Sequence, residues 1–168
     1  GYKSDGDELL YNVRVDYLGL TGLRAGASFT YNNAKGKLTQ IPINIFEAHA
    51  KYVNNNLYLV GEYGMINYQD FSVEQSVGYY FDLGYDVSEI IGWSVESIPF
   101  VRFTNVNPSA TTLLGGITEE EKSVQKIMFG INLKPLPEVV FKMDYSVAEV
   151  KSSSAKTTYF NIGAGYMF

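Results

Sequence analysis

Hydrophobic and polar residues alternate along most of the chain, and the alternation predicts nine β-strands and no amphipathic helix. The segments are 9–18, 23–31, 41–53, 57–68, 76–87, 93–105, 124–133, 139–147 and 157–168. Successive side chains on a strand point to opposite faces. One face therefore carries Tyr11, Val13, Val15 and Tyr17 in the first segment and Val77, Tyr79, Phe81, Leu83 and Tyr85 in the fifth. The eighth contributes Val139, Phe141, Met143, Tyr145 and Val147, and the last Phe160, Ile162, Ala164, Tyr166 and Phe168. The other face of the same strands holds Asn12, Arg14 and Asp16, then Gly78, Tyr80, Asp82 and Gly84, then Lys142 and Asp144, then Asn161, Gly163 and Gly165.

The charged residues test this phasing independently, because only apolar residues set it. Arg14, Asp16, Arg24, Glu47, Lys51, Glu62, Asp82, Glu96, Arg102, Lys126, Lys142 and Asp144 all fall on the second face, as does His49. Apart from Asp86 at the end of the fifth segment, every other charged residue falls in a predicted turn, loop or terminus. With two-fold alternation, so many placements on one side would arise by chance on the order of once in several thousand trials.

Connections alternate in length along the chain. Short ones are predicted at 19–22, 54–56, 88–92 and 134–138, and longer ones at 32–40, 70–74, 106–123 and 148–156. Short turns at one rim and longer loops at the other describe an antiparallel up-and-down sheet whose rims meet different surroundings, as in outer-membrane barrels. A soluble ligand-binding barrel would turn the apolar face inward. Against that, the apolar face carries more large rings than a narrow barrel interior accommodates. Glycines (Gly26, Gly64, Gly78, Gly84, Gly130, Gly163, Gly165) gather on the charged face, where the curved sheet is more crowded. Aromatics of the apolar face collect near the strand ends. Tyr17, Tyr52, Tyr85, Trp93, Tyr166 and Phe168 lie toward the short-turn rim, and Tyr11, Phe29, Tyr31, Phe46, Phe103, Tyr145 and Phe160 toward the other. Two such girdles suit the two interfaces of a bilayer. The expectation is an all-β, antiparallel up-and-down transmembrane β-barrel region with the apolar face outward.

Composition agrees. Aromatics make up 15% of the 168 residues and charged residues only 18%, a mix that favours pleated surfaces over helices. There is no cysteine, so disulfides and thiolate chemistry are excluded, and a net charge of -5 argues against nucleic acid as a partner. No apolar run approaches the roughly 20 residues of a membrane helix, whereas a membrane strand needs only about 9–11. The opening at Gly1 is read as a processed chain or a fragment without its export signal.

The strand-turn-strand stretch GINLKPLPEVVFKMDY (130–145), the ending NIGAGYMF and the strand IPFVRF (98–103) resemble the C-terminal region of bacterial outer-membrane porins, nearest the phosphate-selective type. The likeness covers 93–168 and extends over the first half only in style. It implies residence in the bacterial outer membrane, and a terminal aromatic, Phe168, read during barrel assembly. It also implies outer-membrane lipid and lipopolysaccharide as surroundings, small hydrophilic solutes as cargo and a homo-oligomer, a trimer in such porins. With Phe168 on the periplasmic side, nine antiparallel strands leave Gly1 outside, while complete bacterial barrels have even strand numbers. The expectation is therefore part of a barrel of roughly 16 strands.

Candidate chemistry is sparse. His49 shares a strand face with Glu47 and Lys51, with Ser28 on the neighbouring strand, which could suit a hydrolase site or a plain polar network in the lumen. Strand geometry alone sets such groups side by side, so no catalytic residue is assigned. A single histidine leaves no metal site in the strands, and no cofactor is expected. The acidic groups Asp5, Asp7 and Glu8 and Glu119, Glu120 and Glu121 suit solvated loops, or divalent ions bridging to lipopolysaccharide. Six basic residues on the charged face balance six acidic ones, so the phosphate likeness does not extend to anion selectivity. The leading expectation is a porin-like channel for passive diffusion, lined by the thirteen residues above, with 106–123 folding inward as a constriction. The alternative is a structural or adhesive barrel whose external loops bind a partner. Two further expectations concern the charged face. Arg102 either attracts entering anions or neutralises a carboxylate such as Glu62, Asp82 or Asp144, and Asp82→Arg is tolerated.

Overall fold

Asn55 and Asn56 both adopt positive φ, 49° and 65°. Asparagine tolerates this region, and two such residues in succession form the tight turn whose twist matches that of flanking antiparallel strands. They join β3 (Gln40–Asn54) to β4 (Leu57–Tyr68) in register from Asn54–Leu57 to Ile43–Tyr68. The computed structural model describes residues 9–35, 40–69, 73–112, 123–153 and 155–167. Around that hairpin lie β1 (Leu10–Tyr17), β2 (Leu23–Lys35), β5 (Val73–Tyr85), β6 (Glu96–Thr112), β7 (Val124–Leu136), β8 (Val139–Val150) and β9 (Ala155–Tyr166). Each strand pairs with its chain neighbour, giving one nine-stranded antiparallel sheet in sequence order. The sheet is open. β1 pairs only with β2 and β9 only with β8 among the described residues.

Prolines break the ladder where it shifts. Between Leu133 and Leu136 the β7–β8 register slips at Pro135, and between Gln75 and Val77 the β5–β6 register slips opposite the segment containing Pro108. Proline has no N–H to donate, so it sits at such irregularities. Ser76 anchors the second with a hydrogen bond from its hydroxyl to the Pro108 carbonyl, 2.7 Å.

Burial is inverted relative to a water-soluble domain. Side chains of the apolar register stand in the open, with Val15 at 70%, Phe81 at 52%, Phe129 at 59% and Ile162 at 75% exposure. On the charged register Asp144 is 6% exposed and Ser146 fully buried, alongside Ile98 and Met128. The charged register is thus the inner face and the apolar register the outer one. A continuous exposed apolar surface of this extent suits lipid rather than water. Aromatic neighbours pack along it, Tyr11 against Tyr31, Phe46 against Tyr63 and Tyr79 against Phe103, with ring centroids 6.1–6.5 Å apart.

The strands differ from the sequence expectation mainly at the long-loop rim. β2, β3, β6, β8 and β9 run on into what the alternation assigned to the connections 32–40, 106–123 and 148–156. Beyond the apolar belt both faces meet water, so the alternation stops while the hydrogen-bonded ladder continues. Glu149 and Lys156, expected in a loop, therefore lie in β8 and β9 on the outer register, joined by an ion pair of 3.5 Å at that rim. At the other rim the 88–92 turn is larger than expected. It contains a single-turn helix, α1 (Ser88–Ile91), closed by Gly92 at φ 69°, and Trp93, expected to begin a strand, precedes β6 instead. The Asp86 carboxylate holds this connection by accepting from the amides of Ser88 (2.9 Å) and Ser97 (3.1 Å). Burial acts to raise its pKa, and those donors outweigh it, holding the carboxyl below the usual range. Ile90, Ile91 and Trp93 are exposed on this connection, a composition that suits a bilayer interface. The acidic groups Asp5, Asp7, Glu8, Glu119, Glu120 and Glu121, most of the proposed constriction loop, and Phe168 lie outside the described residues.

Gly130 on the inner face makes room for a neighbour. A Cβ there would lie 2.5 Å from the Phe100 ring and 2.6 Å from the Met143 carbonyl oxygen. The ring of Phe100 lies across this gap, with the Lys142 ammonium 5.0 Å from its centroid. Gly130→Val is expected to destabilise the sheet by about 1–3 kcal/mol through overpacking, measured by urea unfolding, with a smaller loss when Phe100 is also replaced by Ala.

Candidate functional site on the inner face

The register brings all thirteen residues selected from the sequence onto the inner face. One row across the sheet runs Asp16, Gly26, His49, Glu62, Tyr80, Thr104, Lys126. The next runs Arg24, Lys51, Val60, Asp82, Arg102, Met128. Arg14 and Glu47 meet through Ser28 in a third. Glu96 pairs with Lys134, and Lys142 and Asp144 face Asn132 and Gly130. These rows are the consequence of period-two alternation combined with a ladder that rarely slips.

The first cluster centres on His49. Its Nδ1 lies 2.5 Å from Glu47 Oε1, and its Nε2 lies 3.4 Å from an Arg14 guanidinium nitrogen and 3.7 Å from Asp16 Oδ1. A neutral imidazole with its proton on Nδ1 donates to Glu47 and accepts from Arg14, satisfying both nitrogens. Arg14 in turn grips Asp16 through two bonds of 2.8 Å. The Ser28 hydroxyl donates to Glu47 Oε2 at 3.1 Å. The hydrolase reading needs serine on the imidazole and carboxylate behind it. Here the carboxylate stands between Ser28 and His49, and Arg14 occupies the outward nitrogen, so the geometry is that of a polar network. Lys51, grouped with His49 in the sequence, makes no bond to it.

The second cluster decides the role of Arg102. Its guanidinium makes a two-pronged pair with Asp82, both bonds 2.5 Å, and lies 4.6 Å from the centre of the Tyr80 ring. Tyr80 passes the network on by donating its hydroxyl to Glu62 at 2.9 Å. Of the two sequence readings, the geometry supports neutralisation of a carboxylate. It also reverses the expectation for Asp82→Arg, which would set two guanidiniums against each other.

Further along, Lys142 lies 3.5 Å from Asp144, which also accepts from Asn161 at 2.9 Å. Glu96 accepts from Lys134 at 2.9 Å and from the Tyr58 hydroxyl at 2.6 Å. Lys134 and Tyr58 escaped the sequence reading. Lys134 falls in the short connection predicted at 134–138, yet β7 runs through Leu136. A second signal was also missed. Four inner-face aromatics, Tyr58, Tyr80, Phe100 and Tyr159, each lie under a cation, at 4.6–5.6 Å.

Arg24 and Lys51 differ from the rest. They are direct cross-strand partners on β2 and β3. Both line a cavity of about 650 Å³ at the short-turn rim, together with Leu18, Leu20, Tyr58 and Lys134. Lys51 and Lys134 also border a second cavity of about 270 Å³ that extends to Arg102 and Lys142. Among the described residues, no group of three or more His, Asp or Glu side chains is placed to hold a metal ion.

No family model and no curated protein matches the chain. Among solved structures it is similar to the "Outer-membrane expressed OmpT of Vibrio cholerae", with a TM-score of 0.59 and 13% sequence identity, over 95% of this chain and 56% of that one. The chain thus has the fold of an outer-membrane β-barrel and spans little more than half the length of that structure.

Proposed function

We propose that this chain forms part of the wall of an outer-membrane channel through which small hydrophilic solutes diffuse passively. The observation that carries the proposal is the inner face. It is a cross-strand lattice of charged, hydroxyl and amide groups, with Arg14, Asp16, Arg24 and Lys51 standing in the open. The opposite face is apolar and exposed. A water-filled lumen accounts for both, since charges lining a pore stay hydrated while the outer residues meet lipid. In this reading the open edges at β1 and β9 are closed by further strands, because unpaired backbone groups are costly in hydrocarbon. Bacterial outer-membrane lipid and lipopolysaccharide surround the outer face, a homo-oligomer such as a trimer is the assembly, and no catalytic step is assigned. The phosphate-selective likeness is kept only as a likeness of sequence style. Arg14, Arg102, Lys134 and Lys142 each answer a carboxylate, so most of the described inner-face cations are neutralised. Planar-bilayer recording of the full-length protein tests the proposal. Discrete conductance steps are the expected result, and a folded, inserted protein without them overturns it.

A further inference from the structure

We propose that Arg24 and Lys51 form an oxyanion-binding site on the inner face at the short-turn rim. The proposal takes the inner face as the hydrated side, as the channel reading does, and adds what binds there. Four other inner-face cations have a carboxylate: Arg14 has Asp16, Arg102 has Asp82, Lys134 has Glu96 and Lys142 has Asp144. Arg24 and Lys51 have none among the described residues, and they face each other directly across the β2–β3 ladder. Side chains so placed have Cβ atoms about 4.5–5.5 Å apart, and like charges there destabilise the sheet. The unfavourable pair therefore needs another compensation. It borders the larger inner-face cavity, whose third cation, Lys134, is answered by Glu96 and also lies near Asp86. Both carboxylates lie on the Lys134 side, so Arg24 and Lys51 leave their end of the pocket with an excess of positive charge.

The two side chains suit an oxyanion in complementary ways. Guanidinium presents a planar fork of N–H donors that matches two oxygens of a phosphate, sulfate or carboxylate, and ammonium supplies a compact charge to a third. Cross-strand placement lets both converge on one small anion. Lys126, the remaining inner-face cation without a carboxylate, lies far along the row over the Tyr159 ring and has no second cation opposite it. It serves as the control.

The test is isothermal titration of the folded full-length protein in neutral detergent with inorganic phosphate at low salt. Saturable binding is expected. Arg24→Gln and Lys51→Gln should each weaken it by about tenfold or more, and Lys126→Gln by less than about twofold. Because each of the first two substitutions removes a like-charge contact, both variants should unfold at or above the wild-type temperature without phosphate. Phosphate should raise the wild-type temperature and not theirs. Absence of phosphate binding by the wild type, or binding by Arg24→Gln and Lys51→Gln as tight as that of the wild type, overturns the site. A parallel titration with phosphatidylglycerol bicelles separates free anions from lipid headgroups. Binding of that lipid through Arg24 and Lys51 without binding of inorganic phosphate overturns the assignment to a solute. The readout does not depend on conductance. A protein that binds phosphate at this pair yet shows no steps in bilayers loses the channel reading alone, and one that conducts without binding loses this site alone.

Discussion

Phe81→Arg is expected to lower the unfolding free energy of the lipid-embedded protein by about 2–4 kcal/mol, the cost of an arginine near the middle of the apolar belt. Thr104→Glu, on the inner face beside Lys126, should change it by less than about 0.5 kcal/mol. Phe81 lies mid-strand in β5, between Gly61 of β4 and Phe103 of β6, and is 52% exposed on the outer register. Its ring is therefore held by lipid more than by protein, and a charge there has neither water nor a partner. Thr104 lies one register step from Lys126, so a carboxylate at 104 gains a cation in hydrated surroundings. Reversible urea unfolding in lipid vesicles gives both numbers. A larger penalty at Thr104 than at Phe81 would mean that the faces are reversed, and equal penalties that the two faces meet the same surroundings.

The Asp82–Arg102 pair carries the second large effect. Asp82→Arg and Arg102→Asp should each destabilise the protein by about 1–3 kcal/mol, less than a fully buried pair because the side chains are 18% and 36% exposed. Each single change leaves two like charges 2.5 Å apart in the present geometry, where a two-pronged attraction stood. The double swap Asp82→Arg with Arg102→Asp restores opposite charges on the same cross-strand partners and should recover the loss to within about 1 kcal/mol. It leaves the net charge of the inner face unchanged, so ion selectivity in bilayers should not move. A double swap as unstable as the sum of the singles would show that the pair contributes no coupling.

The alternation carried the fold because an outer-membrane strand needs one apolar side only, and that requirement writes itself into every second residue. It placed β4 at its observed bounds and put all thirteen inner-face residues on the correct register. It lost the strands beyond the apolar belt, where Glu149 and Lys156 remain in the ladder without any apolar residue to mark them. At Lys134 the expected strand ended too early, because β7 continues past Leu133 through a register slip at Pro135. The partners of the charges were less legible. Sequence order places Glu47, His49 and Lys51 side by side, but which of Ser28, Arg14 and Asp16 meets His49 depends on the β1–β2–β3 register and on side-chain rotamers. The pairing of Arg102 with Asp82 likewise follows from a register that alternation restricts by face and does not fix by position.

The central claim is that the charged face lines a water-filled path and the apolar face meets lipid. The chain has no cysteine, so no native thiol within it competes with single cysteines introduced there. Ser28→Cys and Thr104→Cys on the inner face, and Phe129→Cys on the outer one, would be treated with a charged, membrane-impermeant thiosulfonate during planar-bilayer recording of the full-length protein. The account predicts stepwise loss of conductance for Ser28→Cys and Thr104→Cys and none for Phe129→Cys. Modification of Phe129→Cys alone, or full conductance after confirmed modification at both inner positions, would contradict it.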